Sequence, residues 1–236
     1  AIISHHKCAG TENYGRSRET LPIIAEALKT QDVGLDVYPY IASSTVLLAE
    51  RIVGCEDVLV ASSEPYPEMS GRSLEGIARE WGCSDEEAVE RLHPATAVYF
   101  QMSEEDVERI MSFKNTMIGS DALTAMDHPH PRLWGTFPRV LARYVRERGV
   151  LDLETAIHKM TGLSAKTFRL KDRGVLKAGN FADVVLFDAD KVEDLATFEN
   201  PKRRSAGIDR VMANGTFIWA NDTDTGSRPG RFLAHQ

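Results

Sequence analysis

The chain lacks any apolar run of about 18 residues, the length a membrane helix needs, and it has no charged segment leading into a short apolar one, as in a secretory signal. A helical membrane span is therefore not expected, and the cytoplasm is the default location. Cysteine is scarce. The three present, Cys8, Cys55 and Cys83, are odd in number and without CxxC spacing, which argues against a disulfide framework or a zinc knuckle. No lysine- and arginine-rich block interrupts a net charge of −7 spread along the sequence, so nucleic acid is a poor partner. What is present is ordinary for a globular protein. With 236 residues, 42% hydrophobic and 27% charged, the chain can bury one large domain, or one domain plus an appendage.

Residue patterning predicts alternating strands and helices. IISHHK, residues 2–7, is a β-branched run ending in imidazoles and an ammonium, and a helix follows near Ser17, its expected N-cap. VGLDVYPY reads as a strand stopped by Pro39. Residues 43–70 carry serines and prolines without a sustained period and read as an irregular excursion. Helices are expected over 73–81 and 84–92, a strand over 96–102, and a helix opened by a capping box of Ser103 and Asp106. TMIGSD, residues 116–121, is again a strand. A basic amphipathic helix over 138–148, another over 152–161 and a short one capped by Ser164 complete an α/β pattern of βαβ units with parallel strands.

Beyond Asp172 the pattern changes to short β segments with an Asn-Gly turn, which predicts a small antiparallel module. The strand count in the α/β part is only about four, half of what a closed eight-stranded barrel requires.

The chemistry-bearing stretches are TMIGSD and HPHPRLWGTF (128–137), together with IISHHK. An aspartate at a strand's carboxyl end, leading into a loop of histidine and arginine, is where barrel enzymes hold their reactive groups. Taken alone, each residue has a plainer alternative. Asp121 serves equally as a loop or N-cap residue, Arg132 as a structural ion pair and Tyr38 as core. Adjacent His5 and His6 cannot face the same way on a strand, so one of them belongs to packing. His128 and His130, interleaved with proline, suit packing and hydrogen bonding.

SHHKCAG, YGRSRETL, LDVYPY, TMIGSD, HPHPRLWGTFPRVL, KMTGLSA, DRGVLKAGNFADVVLFD and VMANG, in this order, resemble the second half of the N-acyl-D-amino-acid deacylases, the D-aminoacylase family of the amidohydrolase superfamily. The resemblance implies the second half of a TIM-like (β/α)8 barrel of the metal-dependent hydrolase type over residues 1–171, followed by a β-sandwich segment over 172–236. It implies zinc, one ion or two, with His5 as a metal ligand and Asp121 as general base. Lys7, Tyr38 and Arg132 match positions that hold the substrate's α-carboxylate. The other metal ligands are expected outside this chain, which reads as beginning inside a site. A missing N-terminal half or a partner subunit is therefore expected, because an open half barrel exposes strand edges. Ala122 and Ser43 depart from glycines expected after the aspartate and in the loop after YPY. The implied reaction is hydrolysis of N-acyl-D-amino acids. Two alternatives stand beside it: a non-catalytic remnant or binding subunit, and a cyclic amidase of dihydropyrimidinase type, against which the Arg132 loop argues.

Overall fold

The computed structural model describes residues 1–124 and 126–233. Residues 234–236, which close the expected C-terminal segment, lie outside them. The site rests on a three-stranded parallel sheet: β1 (Ile2–Ile3), β2 (Gly34–Val37) and β6 (Thr116–Ile118), with β2 in the centre. Between the first two strands runs α1 (Ser17–Ala27). Leu35 and Val37 of β2 and Ile118 of β6 point to one face. They pack there against Leu21 and Ile24 of α1, against Val107, Ile110 and Met111 of α5 (Glu104–Ser112), and against Val140, Leu141 and Tyr144. The opposite face of the sheet carries the chemistry.

Residues 43–70 are not irregular. They supply β3 (Ala42–Val46), the short helix α2 (Ala49–Ile52), β4 (Asp57–Ser63) and a 3-10 turn at Pro67–Met69, and both strands pair antiparallel with β5 (Ala95–Phe100) in the order β3-β5-β4. The sequence signal is weak because small residues fill several buried positions, Ala42, Ser44, Ala61 and Ser63 beside Val58 and Val60, and a bulge between Val60 and Ser62 breaks the period of two. Because β5 pairs antiparallel with both β3 and β4, it is not a βαβ strand, and the parallel set has three members rather than the expected four. Helices α3 (Leu74–Trp81) and α4 (Asp85–Leu92) begin where expected. Ser73 and Ser84 accept hydrogen bonds from the Gly76 and Glu87 amides, and Leu74, Ile77, Ala88 and Leu92 cover the antiparallel sheet.

Three caps differ from expectation. Ser17 is the first residue of α1 and not its cap; its hydroxyl and amide bind Asp106. Ser103 does accept from the Asp106 amide, but the Asp106 carboxylate turns away from the reciprocal bond to meet the amides of Gly15 and Ser17. Ser164 lies inside α8 (Gly162–Thr167), which follows α7 (Leu153–Met160), itself capped by Asp152. The helix expected at 138 starts earlier, as α6 (Arg132–Arg139), and passes into a π-helix over Val140–Glu147. Pro138 inside it supplies no amide hydrogen, which weakens the α register there.

The C-terminal residues form a four-stranded antiparallel sheet in the order β10-β9-β8-β7, with β7 (Val184–Phe187), β8 (Ile208–Ala213), β9 (Thr216–Ala220) and β10 (Thr223–Asp224). Asn214 and Gly215 join β8 to β9 with φ of 46° and 79°, the left-handed pair an Asn-Gly hairpin needs. No closed barrel is formed among the described residues, and no described helix is long and apolar enough to cross a membrane.

Candidate active site

The carboxyl ends of β1, β2 and β6 lie side by side and deliver His5, Tyr38 and Asp121 to one region. Two of these three residues have left-handed backbones. His5 has φ of 44° and Asp121 of 47°, conformations costly for residues with a Cβ and persisting where the surroundings over-determine them. Asp36 supplies one such constraint: its Oδ1 accepts the His5 amide at 2.9 Å.

Arg132, at the start of α6, is the centre of the cluster. Its guanidinium is only 2% exposed, yet Nη2 lies 2.9 Å from Asp121 Oδ2 and 3.3 Å from the Ser44 carbonyl oxygen. The plane stacks over the Tyr38 ring, with Cζ 4.6 Å from the centroid. Nε and Nη1 have no acceptor among the described residues, and neither does the buried Tyr38 hydroxyl. Unpaired buried donors cost free energy, roughly 1–3 kcal/mol each. All three belong to the Arg132–Tyr38 pair, which marks that pair as a candidate position for an anion.

Lys7 closes the group. Its Nζ lies 5.4 Å from the Tyr38 centroid and 2.7 Å from His5 Nδ1, so that among the described residues His5 Nε2 is the ring nitrogen left to take a ligand. Burial pulls the Lys7 pKa down to about 8; Asp121 and Asp36 work against that shift and Arg132 works with it. Burial likewise raises the Tyr38 phenol far above its ordinary value. Tyr38 thus remains a neutral donor.

His6, His128 and His130 are bonded to protein groups away from this cluster or behind it. His6 turns away from the cluster to Thr20 Oγ1 on α1, at 3.0 Å. His128 Nε2 donates to the Phe198 carbonyl. His130 is buried, donates through Nε2 to the Ala42 carbonyl and accepts the Arg132 amide at Nδ1, so its tautomer is set on both sides. Burial, reinforced by the Arg132 charge, holds its pKa well below the usual histidine value. It orients the start of α6 as a neutral ring. Ser43 is not in a loop: it sits in β3 opposite Tyr99, where its hydroxyl accepts from Gln101.

Two contributors were missed by residue patterning. Ser44 offers only its backbone carbonyl, which no sequence signal marks. Asp36 did carry a signal, an acid inside the otherwise apolar strand LDVYPY.

The donor set suits part of a metal site. An imidazole nitrogen and a carboxylate are good zinc ligands, but a shell needs about four donors, and no group of three or more His, Cys, Asp or Glu residues converges among the described residues. Residues 82–218 match the model of the Amidohydrolase family. The chain is 52% identical over 233 residues to a D-aminoacylase of Alcaligenes xylosoxydans xylosoxydans, covering 99% of this chain and 48% of that protein. A solved D-aminoacylase with a binuclear metal centre superimposes with a TM-score of 0.95 at 51% identity, over 98% of this chain and 49% of that one. An N-acyl-D-glutamate deacylase from Bordetella bronchiseptica, solved with zinc and a phosphonate mimic of the tetrahedral intermediate, superimposes with a TM-score of 0.94 at 46% identity, over 98% of this chain and 49% of its own. The chain spans about half the length of the relatives it matches. A site at the ends of parallel strands, an α/β frame that superimposes throughout and about 50% identity lead to one conclusion: this chain belongs to the D-aminoacylase family of amidohydrolases.

Proposed function

We propose that this chain is the C-terminal part of a zinc-dependent enzyme that hydrolyses N-acyl-D-amino acids to a D-amino acid and a carboxylate, and that it is inactive alone. Residues 1–171 would form barrel strands six to eight with their helices, and residues 172–236 part of a β-sandwich. The free cysteines fit a reducing compartment such as the cytoplasm.

The observation that carries this reading is the buried Arg132, paired with Asp121 through Nη2 and lying over the Tyr38 ring. Its Nε and Nη1, with the Tyr38 hydroxyl, are unsatisfied among the described residues and are the donors that a substrate carboxylate would engage. Lys7 adds a positive charge on the same side. His5 Nε2 would hold zinc, one ion or two, with further donors from outside this chain in a missing half or a partner subunit. Zinc, when bound, supplies Lewis acidity to the amide carbonyl and to the attacking water. Asp121 accepts the water's proton and returns it to the departing nitrogen. Arg132 keeps that carboxylate oriented for both transfers.

The test is to express this chain together with the polypeptide encoded immediately upstream, supply zinc and assay N-acetyl-D-amino acids. Hydrolysis is expected, and Asp121→Asn should lower turnover by about 10²–10⁴. Hydrolysis that survives Asp121→Asn undiminished would sink the assignment.

A further inference from the structure

His5 and His6 are adjacent, and the strand register assigns them to the wrong faces. Ile3 pairs with Leu35 in the parallel ladder, and both pack on the helical side of the sheet. With a period of two, a regular continuation of β1 would send His5 to that same helical side and His6 to the site. The structure shows the reverse. His5 meets Lys7, which lies against Tyr38, while His6 reaches Thr20 on α1. The exchange occurs at the left-handed backbone of His5.

We infer that Asp36 is the positioning residue that makes this exchange, selecting which of the two histidines faces the site. Asp36 lies on the central strand β2, between the ends of β1 and β6. Its Oδ1 accepts the His5 amide at 2.9 Å, while its own backbone carbonyl accepts the His6 amide at 2.8 Å. Two successive amides are thus bound by one residue, the first by side chain and the second by main chain. An extended strand cannot present consecutive amides to the same neighbour, because they point to opposite edges. The side-chain bond therefore accompanies the turn and holds it against the cost of a positive φ.

Gly119 on the far side of β2 belongs to the same device. Its φ is ordinary, yet a Cβ there would come within 2.9 Å of Asp36 Oδ1 and 3.3 Å of Cγ. The glycine of TMIGSD is explained by the space the Asp36 carboxylate occupies. One acid thereby couples the end of the strand bearing His5 to that of the strand bearing Asp121.

The consequence for function rests on His5 being the metal ligand; the positioning itself does not, and the two are tested separately. Amide hydrogen exchange on this chain reads the positioning. Asp36→Ala is expected to speed exchange of the His5 amide about tenfold, the effect of one lost hydrogen bond. Gly119→Ala should do the same by displacing the carboxylate, and Asp36→Asn, whose side-chain oxygen still accepts, should preserve protection. The amides of Val98 and Tyr99 in β5 serve as the control for folding and should be unaltered in all three. Unchanged His5 exchange in Asp36→Ala overturns the inference, as does equal loss in Asp36→Asn and Asp36→Ala. In the assembled enzyme, zinc content and hydrolysis should fall in Asp36→Ala and recover in Asp36→Asn. If His5→Ala leaves both intact, the ligand assignment fails while the exchange result stands; if His5→Ala abolishes them and Asp36→Ala does not, the positioning role fails.

Discussion

Tyr99 and Tyr38 are both almost fully buried, one in the antiparallel sheet and one at the end of the parallel sheet, and their hydroxyls have opposite fates. Tyr99 donates to the Val46 carbonyl at 2.8 Å and accepts the Leu48 amide at 3.2 Å. The Tyr38 hydroxyl has no hydrogen-bond partner among the described residues. The ladders differ in the same sense. β5 pairs with β3 at five positions and with β4 at six, whereas β2 pairs with β1 at two and with β6 at three. Short parallel ladders release their strand ends early, and the released residues His5 and Asp121 take left-handed backbones. In the antiparallel sheet the Tyr99 hydroxyl is satisfied within the sheet and its connection to α2. At the end of the parallel sheet, Tyr38 and the Arg132 that lies over it keep unpaired donors beside strained backbone, the pattern expected where a ligand completes the structure.

Substitutions can break that contrast, and the largest effect belongs to the antiparallel side. Ile77→Ala, in the fully buried core of α3, should cost about 2–5 kcal/mol of stability by leaving a cavity. Urea unfolding measures this, and the contrast predicts that the geometry around Arg132 persists as long as the chain stays folded.

Next comes Lys159, buried beneath β6, where its Nζ donates to the carbonyls of Phe113 and Thr116 at 2.6 and 3.1 Å. Lys159→Met should cost about 1–3 kcal/mol by leaving these acceptors unpaired. The penalty should also vary with pH. Burial lowers the Lys159 pKa to about 8, against 10.5 for the free side chain. Between those values the unfolded chain binds more protons, so the wild type gains stability as pH rises. Urea midpoints of wild type and variant should therefore diverge from pH 8 to 10. Convergence would contradict a pKa depressed by burial.

The smaller predictions concern the strained side. His5→Gly should stabilise the isolated chain by about 0.5–1 kcal/mol, because glycine takes positive φ without steric cost; a fall in melting temperature would show that the His5 contacts outweigh the strain. Tyr38→Phe removes a buried hydroxyl that is unsatisfied among the described residues and should stabilise the isolated chain by about 1 kcal/mol, the lower end of the cost of such a group. Tyr99→Phe, measured beside it, should destabilise instead, since it strands the Val46 carbonyl and the Leu48 amide.

Much of the frame was legible from local pattern. Serine caps before acidic first turns marked α3 and α4, Asn-Gly marked the β8–β9 hairpin, and β-branched runs marked β2 and β6. The antiparallel strands of 43–70 were not legible, because alanines and serines take several of their buried positions and the bulge at Val60 and Ser62 hides the alternation. At the site, motif resemblance pointed to His5, Lys7, Tyr38, Asp121 and Arg132, and folding brings these five together. Their catalytic roles remain for the assays above. Ser44 acts through a backbone carbonyl, and Asp36 looked like one more acid in a strand.

The sequence by itself determined which side chains are available for chemistry, since motif order and residue type survive without coordinates, and it determined where most helices begin, since capping is a contact between near neighbours. The folded arrangement alone settles which histidine faces the site, which residues Asp106 serves and which nitrogens of Arg132 are left unpaired. Each of those outcomes depends on groups between 11 and 91 residues apart meeting in space. No local period encodes such meetings, because they are set by how β1, β2 and β6 pair and how α1 and α5 pack on them.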